Sequence, residues 1–122
     1  MKERPDRLYI LDILSCISRI REYIKNDVYE TFTLAKMTQD AVLRNLEIIG
    51  EASRNITEET RLKAENIPWN RMIGLRNIVS HKYFGVDLEI VWEVITKNLP
   101  IIEPEIRSLL DKIQGIRGIE EE

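Results

Sequence analysis

Residues 6–25 read DRLYILDILSCISRIREYIK, and their apolar side chains recur at the three- and four-residue spacing of an α-helix. These side chains fill about half of the helical circumference; they are Tyr9, Ile10, Ile13, Leu14, Cys16, Ile17, Ile20, Tyr23 and Ile24. A surface helix that packs on one side needs a narrower apolar stripe. We therefore expect a helix from Pro5 or Asp6 to about Lys25 that packs on two sides, with Cys16 in the core.

The rest of the chain also carries helical patterns, and glycine (five residues) and proline (four) are scarce. In the first half we expect a helical turn or loop over 26–36, a long helix from about Thr38 to Ile56 and a short helix capped by Thr57. A third helix should run from Pro68 to Val79, with Gly85 ending the segment. A helix capped by Asp87 should follow, and after breaks at Asn98, Pro100 and Pro104 a last helix should run to about Ile113. We predict an all-α protein, a small up-and-down helical bundle with one domain over residues 1–114 and a flexible acidic tail over 115–122.

The composition narrows the class of protein. A chain of 122 residues suits a single domain, because two separate cores would each be too small to persist. One cysteine excludes an intramolecular disulfide, and one cysteine with one histidine excludes a Cys/His zinc cage. The apolar runs fall short of the about 20 residues that a membrane span needs, and the charged residues 1–6 do not resemble a signal peptide. We expect a cytoplasmic protein with no membrane association, no cofactor and no metal.

The charge distribution draws attention to residues 66–86. This segment contains Arg71, Arg76 and Lys82, three of the 18 basic residues, and none of the 21 acidic ones. It therefore has a charge of +3 in a chain whose net charge is −3. A locally positive segment in an acidic protein suits an anionic ligand, although a chance gap between acidic residues would give the same pattern.

The same segment contains His81, the one histidine of the chain, five positions after Arg76. Histidine titrates near neutrality and can accept and donate a proton, whereas arginine offers a permanent charge and a fork of donors for phosphate oxygens. If the helix ends near Ser80, His81 can turn back toward Arg76, and Asn77, one helical turn earlier, can orient the imidazole ring. The alternative is an ordinary helix end, where a histidine and a lysine favour the helix dipole.

The order of Arg76, four intervening residues, His81, one residue and Tyr83 resembles the motif of the HepT-like ribonuclease toxins, a branch of the HEPN superfamily of small helical domains. The flanking segments are similar as well, namely QDAVLRNLEIIGEA at 39–52, IPW at 67–69 and YFGVDLEIVW at 83–92. Asn77 fits the polar residue that often follows the arginine in this family. The resemblance spans nearly all of residues 5–113.

The resemblance implies a homodimeric, metal-independent RNA endonuclease, the toxin of a type VII toxin–antitoxin system. Such an enzyme cleaves RNA, either tRNA or mRNA, by attack of the ribose 2′-hydroxyl on the adjacent phosphorus, with Arg76 and His81 as the catalytic residues. The implied partner is a minimal nucleotidyltransferase antitoxin (MntA-like) that attaches AMP to Tyr83. Arg71 and Lys82 are candidates to extend the contact along the RNA backbone.

Two other hypotheses stay open at this point. The chain could be a non-catalytic subunit that binds nucleotide phosphates for a nucleotidyltransferase, or a purely structural dimerisation bundle. For a nuclease, acid–base cleavage works best with two proton-transfer groups, and each chain has one histidine. We therefore predict a two-fold dimer that brings both copies of His81 and Arg76 into one cleft, with apolar surface on the first helix and on the 88–99 helix as the interface.

Overall fold

The computed structural model describes residues 4–80 and 85–121, and within these ranges every regular element is helical. This confirms the predicted all-α class. The elements are α1 (Asp6–Ile24), α2 (Tyr29–Phe32), α3 (Lys36–Asn55), α4 (Glu58–Arg61), a 3₁₀ turn (Leu62–Ala64), α5 (Trp69–Ile73), α6 (Leu75–Ser80), α7 (Leu88–Glu93), a π-helical turn (Val94–Asn98) and α8 (Leu99–Glu121). In the described part of the chain, no helix combines the length and the apolar character needed to cross a bilayer.

Helix α1 contacts both α3 and α8, so its broad apolar arc is used on two sides as predicted. Its buried residues are Ile10, Ile13, Leu14, Cys16, Ile17 and Ile20. The core residues that pack against α1 come mainly from α3 and α8. Those that are fully or almost fully buried include Val42, Leu46, Ile49, Ile106 and Leu109. Helix α3 also contacts α5 and α6 on its other flank. The core therefore places α3 between α1 and the segment that carries Arg76.

A hydrogen-bonded cluster ties the start of α1 to the start of α4. The Asp6 carboxylate accepts hydrogen bonds from the Thr57 hydroxyl at 2.5 Å, the Thr60 hydroxyl at 2.6 Å and the Thr57 backbone N–H at 3.2 Å. Thr57 is also the N-cap of α4, with its hydroxyl accepting from the Thr60 backbone N–H, which confirms the predicted cap. One aspartate thus joins two elements that are about 50 residues apart in sequence.

The predicted third helix from Pro68 to Val79 is divided into α5 and α6 at Gly74. The Gly74 N–H donates to the Asn70 carbonyl at 3.0 Å and closes α5, while the Asn77 N–H donates to the Gly74 carbonyl at 2.9 Å and opens the next turn. Beyond α6, Gly85 has a φ of +95°, in the left-handed region where glycine carries no Cβ penalty. Two glycines therefore bound the segment that contains the predicted motif.

The predicted break at Asn98, Pro100 and Pro104 is wrong. The Leu99 N–H donates to the carbonyl of Val94, five residues back, and the chain passes through this π-helical turn directly into α8. Proline has no N–H to donate, and a wider turn just ahead of Pro100 gives the backbone a place to change its hydrogen-bond register. The predicted helix end near Ile113 is also wrong, because the backbone is helical to Glu121.

Candidate functional site

Arg76 lies on α6 with its side chain directed to the surface of α3. Its Nη1 atom is 3.0 Å from Oε2 of Glu51, and the two side chains are 44% and 52% exposed. The guanidinium is thus held by a carboxylate of a neighbouring helix and remains open to solvent. An exposed arginine with a defined position is the type of group that can bind a phosphate.

The backbone around Arg76 comes unusually close to α3 at Gly50. A Cβ atom added to Gly50 would be 2.8 Å from Cγ of Arg76, 3.1 Å from its backbone nitrogen and 3.2 Å from the carbonyl oxygen of Ile73. A Cβ atom essentially never lies within 3.0 Å of such a neighbour, and contacts of 3.1–3.2 Å are tight, so a side chain at this position would displace the Arg76 stem and press on the backbones of α5 and α6. The missing side chain of Gly50 therefore sets how near Arg76 lies to α3.

A surface cleft of about 320 Å³, which we call the Arg76 cleft, lies between α1, α3 and α6. It is lined by Tyr9, Asp12, Arg44, Glu47, Ile48, Glu51, Ala52 and Arg76. Its carboxylates have basic partners: Asp12 accepts from Arg4 at 2.7 Å, and Glu47 accepts from Arg44 at 2.7 Å. Ion pairs therefore line the wall of the cleft on α3 and α1, and among them the Glu51–Arg76 pair joins α3 to α6.

The structure separates two of the predicted basic residues. Arg71 is exposed on α5 and lines clefts beside Asn66 and Pro68; within the described residues it is not part of the Arg76 cleft. The break at Gly74 lies between the two arginines, so they do not share one continuous helix. The structure does not bring Arg71 together with Arg76.

Asn77 is exposed on α6 and directly follows Arg76 in the sequence. His81, Lys82 and Tyr83 lie outside the described residues. The predicted return of His81 toward Arg76, its orientation by Asn77 and the accessibility of Tyr83 thus stay predictions.

Glu51 and Gly50 are the residues that sequence reasoning missed. Both lie in segment 39–52, whose sequence is similar to the family, but the sequence alone assigns neither residue a role. A signal was present, because an isolated glycine inside a long helical pattern costs about 1 kcal/mol relative to alanine, which points to a packing reason. What the pattern alone lacks is the identity of the approaching residue, 26 positions later in the chain.

The one cysteine of the chain, Cys16, is a candidate nucleophile by residue type, but its side chain lies in the core at 1% exposure. Burial raises the pKa of its thiol to about 11, with smaller contributions from Arg19 and Arg44, which lower it, and from Asp12, which raises it. A thiol that stays protonated and inaccessible is a poor nucleophile. In the described part of the chain, no group of three or more histidine, cysteine, aspartate or glutamate side chains is placed to hold a metal ion.

Comparison with known proteins gives a family match over most of the chain. Residues 13–109 match the family described as Ribonuclease HepT-like. A Methanocaldococcus jannaschii protein with the provisional name RNase is 42% identical over 106 residues, which is 87% of this chain and 97% of that protein. A Thermococcus cleftensis protein named, provisionally, ribonuclease HepT is 36% identical over 107 residues, or 88% of this chain and 97% of the relative.

A third relative is a longer M. jannaschii protein whose name gives two activities, gamma-glutamylcyclotransferase and, provisionally, RNase. It is 41% identical over 107 residues, which cover 88% of this chain and 48% of that protein. No solved structure gives a significant match. The match over residues 13–109 includes the positions of Gly50, Glu51, Arg76, His81 and Tyr83.

Proposed function

Because the chain belongs to the HepT-like ribonuclease family, we propose that it is an RNA endonuclease whose activity depends on Arg76 and His81. The observation that carries the proposal is the position of Arg76: a half-exposed guanidinium, held at 3.0 Å by Glu51 on the rim of a cleft, in the segment without acidic residues. The family match and the names of its relatives supply the substrate class.

The chemistry of RNA cleavage suits these residue types. The ribose 2′-oxygen attacks the adjacent phosphorus while the bond from phosphorus to the 5′-oxygen breaks, and the products are a 2′,3′-cyclic phosphate and a free 5′-hydroxyl. One group must accept the 2′-hydroxyl proton, a second must supply a proton to the leaving oxygen, and positive charge must stabilise the phosphorane oxygens. His81 is suited to the proton transfers and Arg76 to the charge. The nucleophile belongs to the substrate, so we propose a reaction that does not depend on a metal.

We propose further that two copies form the active unit, because each chain supplies one histidine. The apolar residues of α1 that we expected at the interface are mostly buried against α3 and α8. An apolar cleft of about 500 Å³ between α5, α6, the π-helical turn and α8 supports a dimer instead; its apolar lining includes Met72, Leu75, Ile78, Val94, Ile101 and Ile102. Ile101, on its rim, is 70% exposed. A second copy seated here would cover apolar surface next to the Arg76 helix. Light scattering should give a dimer mass for the wild type and a monomer mass for Ile101→Glu.

The toxin role completes the proposal. A minimal nucleotidyltransferase antitoxin would transfer AMP to the Tyr83 hydroxyl, with pyrophosphate as the leaving group of ATP. The added phosphate would compete for Arg76, and the adenosine would block entry of RNA. After incubation with such an enzyme and ATP, mass spectrometry should locate AMP on Tyr83, and Tyr83→Phe should remain active in the same mixture. AMP on another residue would contradict this part of the proposal.

The decisive experiment for the nuclease is cleavage of total RNA in EDTA by the wild type, Arg76→Ala and His81→Ala, with Arg54→Ala as the control. Arg54 is an exposed arginine in the last turn of α3, and it does not line the Arg76 cleft. We expect cleavage by the wild type and Arg54→Ala, a loss of at least 100-fold in the other two, and cyclic phosphate ends. Cleavage that requires added magnesium would contradict the mechanism. No cleavage, together with nucleotide binding that Arg76→Ala removes, would favour the binding-subunit hypothesis.

A further inference from the structure

We infer that Glu51 is a positioning residue for RNA cleavage: its carboxylate holds the Arg76 guanidinium in the orientation that meets the scissile phosphate. This inference rests on the proposed ribonuclease function. It assigns a role to a residue of α3 that lies 25 positions before Arg76 in the sequence.

The first support is that two consecutive residues of α3 hold the two ends of Arg76. Because Gly50 has no Cβ, the backbone nitrogen and Cγ of Arg76 occupy space next to α3 that a side chain would need, and Glu51 holds the terminal nitrogen Nη1 at 3.0 Å. Arginine has several rotatable bonds, and one contact at its base leaves the guanidinium free to swing. A second contact at the tip fixes its direction, so the pair of contacts defines where the charge lies.

The second support is the donor capacity of the guanidinium. It carries five N–H donors in a planar fork, and the contact with Glu51 uses the Nη1 end. The Nε and Nη2 edge is the pair of donors that suits two oxygens of a phosphate. The carboxylate can therefore stay in place while the substrate binds, and it sets the plane of the fork before the RNA arrives.

The third support is that stability does not account for this ion pair. Both partners are about half exposed, at 44% and 52%, and ion pairs with such exposure add little to the free energy of unfolding. A carboxylate beside a phosphate site would also repel RNA if it had no other purpose. Orientation of Arg76 explains both its location and its exposure.

The test compares Glu51→Ala and Glu51→Gln with the wild type in steady-state cleavage of a short RNA in EDTA. Glu22→Ala is the matched control, because Glu22 is an exposed carboxylate that pairs with Lys25 at 2.7 Å on α1, outside the Arg76 cleft. For Glu51→Ala we expect kcat to fall 10- to 100-fold, KM to change less than threefold, and the melting temperature to stay within about 2 °C. Glu51→Gln keeps an acceptor oxygen, so its kcat should fall less. Glu22→Ala should match the wild type.

The pH dependence distinguishes positioning from direct proton transfer. A positioning carboxylate leaves the shape of the profile of kcat against pH unchanged in Glu51→Gln, because the group that accepts the proton is still present. Loss of the acidic limb in that variant would overturn the inference in favour of Glu51 as the general base. Wild-type kcat in Glu51→Ala would overturn it as well.

A readout without cleavage separates this inference from the proposed function. In ¹⁵N-labelled protein, the Nε–Hε signal of Arg76, assigned by its loss in Arg76→Lys, should report a restricted side chain in the wild type and a more mobile one in Glu51→Ala. If the wild type cleaves no RNA but this change is observed, the ribonuclease proposal fails and the positioning contact stands. An Arg76 signal equally mobile in both proteins would overturn the positioning role.

Discussion

Replacing Gly50 with alanine perturbs the approach of α6 to α3 by one methyl group. The new Cβ would be 2.8 Å from Cγ of Arg76, which is the stem of a flexible side chain and can turn aside. It would also be 3.1 Å from the Arg76 nitrogen and 3.2 Å from the Ile73 carbonyl oxygen, and these backbone atoms must move with their helices. The change therefore acts on the position of Arg76 by two routes.

The expected cost in stability is small because two effects oppose each other. Overpacking a close contact costs about 1–3 kcal/mol, whereas alanine in place of glycine inside a helix gains about 1 kcal/mol. We expect the free energy of unfolding to fall by about 0–2 kcal/mol. The effect on cleavage should be larger, because a rotation about the Arg76 stem removes the guanidinium from Glu51 and from the phosphate. Losing one donor to the transition state lowers kcat by about 10²–10³-fold, so a displaced arginine should cost at least tenfold.

Urea denaturation measures the stability and RNA cleavage by the native protein measures the activity, each with Gly74→Ala as the control. A Cβ on Gly74 would meet the Asn70 carbonyl oxygen at 3.3 Å and the Arg71 carbonyl oxygen at 3.4 Å, both in its own preceding turn. We expect Gly74→Ala to remain within about 1 kcal/mol and threefold in kcat of the wild type. If Gly50→Ala is as stable and as active as the wild type, the close approach does not constrain Arg76 and the reasoning is wrong.

Three further predictions concern other parts of the molecule. Arg76→Lys should lose nearly as much cleavage as Arg76→Ala in the same RNA assay, because one ammonium cannot both pair with Glu51 and present two parallel donors to a phosphate. Asp6→Ala should lower the free energy of unfolding, measured by urea denaturation, by about 2 kcal/mol, because it removes the acceptor of the buried Thr60 hydroxyl and breaks the hydrogen bond from Thr57. Cys16 should react with a thiol reagent at neutral pH at least 100-fold more slowly in native than in urea-unfolded protein, since a pKa of about 11 rather than 9.0 lowers its thiolate fraction by about that factor and burial blocks access.

Local chemistry explains which parts of the fold could be predicted from the sequence. The caps at Thr57 and Asp87 depend on side chains that accept from backbone N–H groups two or three residues later, and the start of α1 follows from Pro5 and Asp6, residue types that favour a helix start; all three predictions are confirmed. The break predicted at Pro100 and Pro104 is wrong because a proline in the sequence does not reveal whether the preceding helical turn can widen. The π-helical turn before Pro100 is a property of the packed segment from α7 to α8.

For the site as well, the features that depend on local sequence could be predicted, and those that depend on packing between helices could not. Arg76 is recognisable from its residue type, its spacing to His81 and the missing acidic neighbours. Its partners Gly50 and Glu51 are not, because a contact over 25 positions depends on how α3 and α6 pack. The separation of Arg71 from Arg76 was hidden for a similar reason. Pattern reasoning treats 68–79 as one helix, whereas Gly74 closes one helix and starts another.

The length of α6 explains why α3 matters so much for Arg76. Helix α6 has six residues, and a helix this short derives its stability from tertiary contacts rather than from its own propensity. Helix α3, with 20 residues packed against α1, is the rigid neighbour. The orientation of the proposed catalytic arginine is therefore a property of α3, which is why substitutions at Gly50 and Glu51 should affect cleavage more than stability.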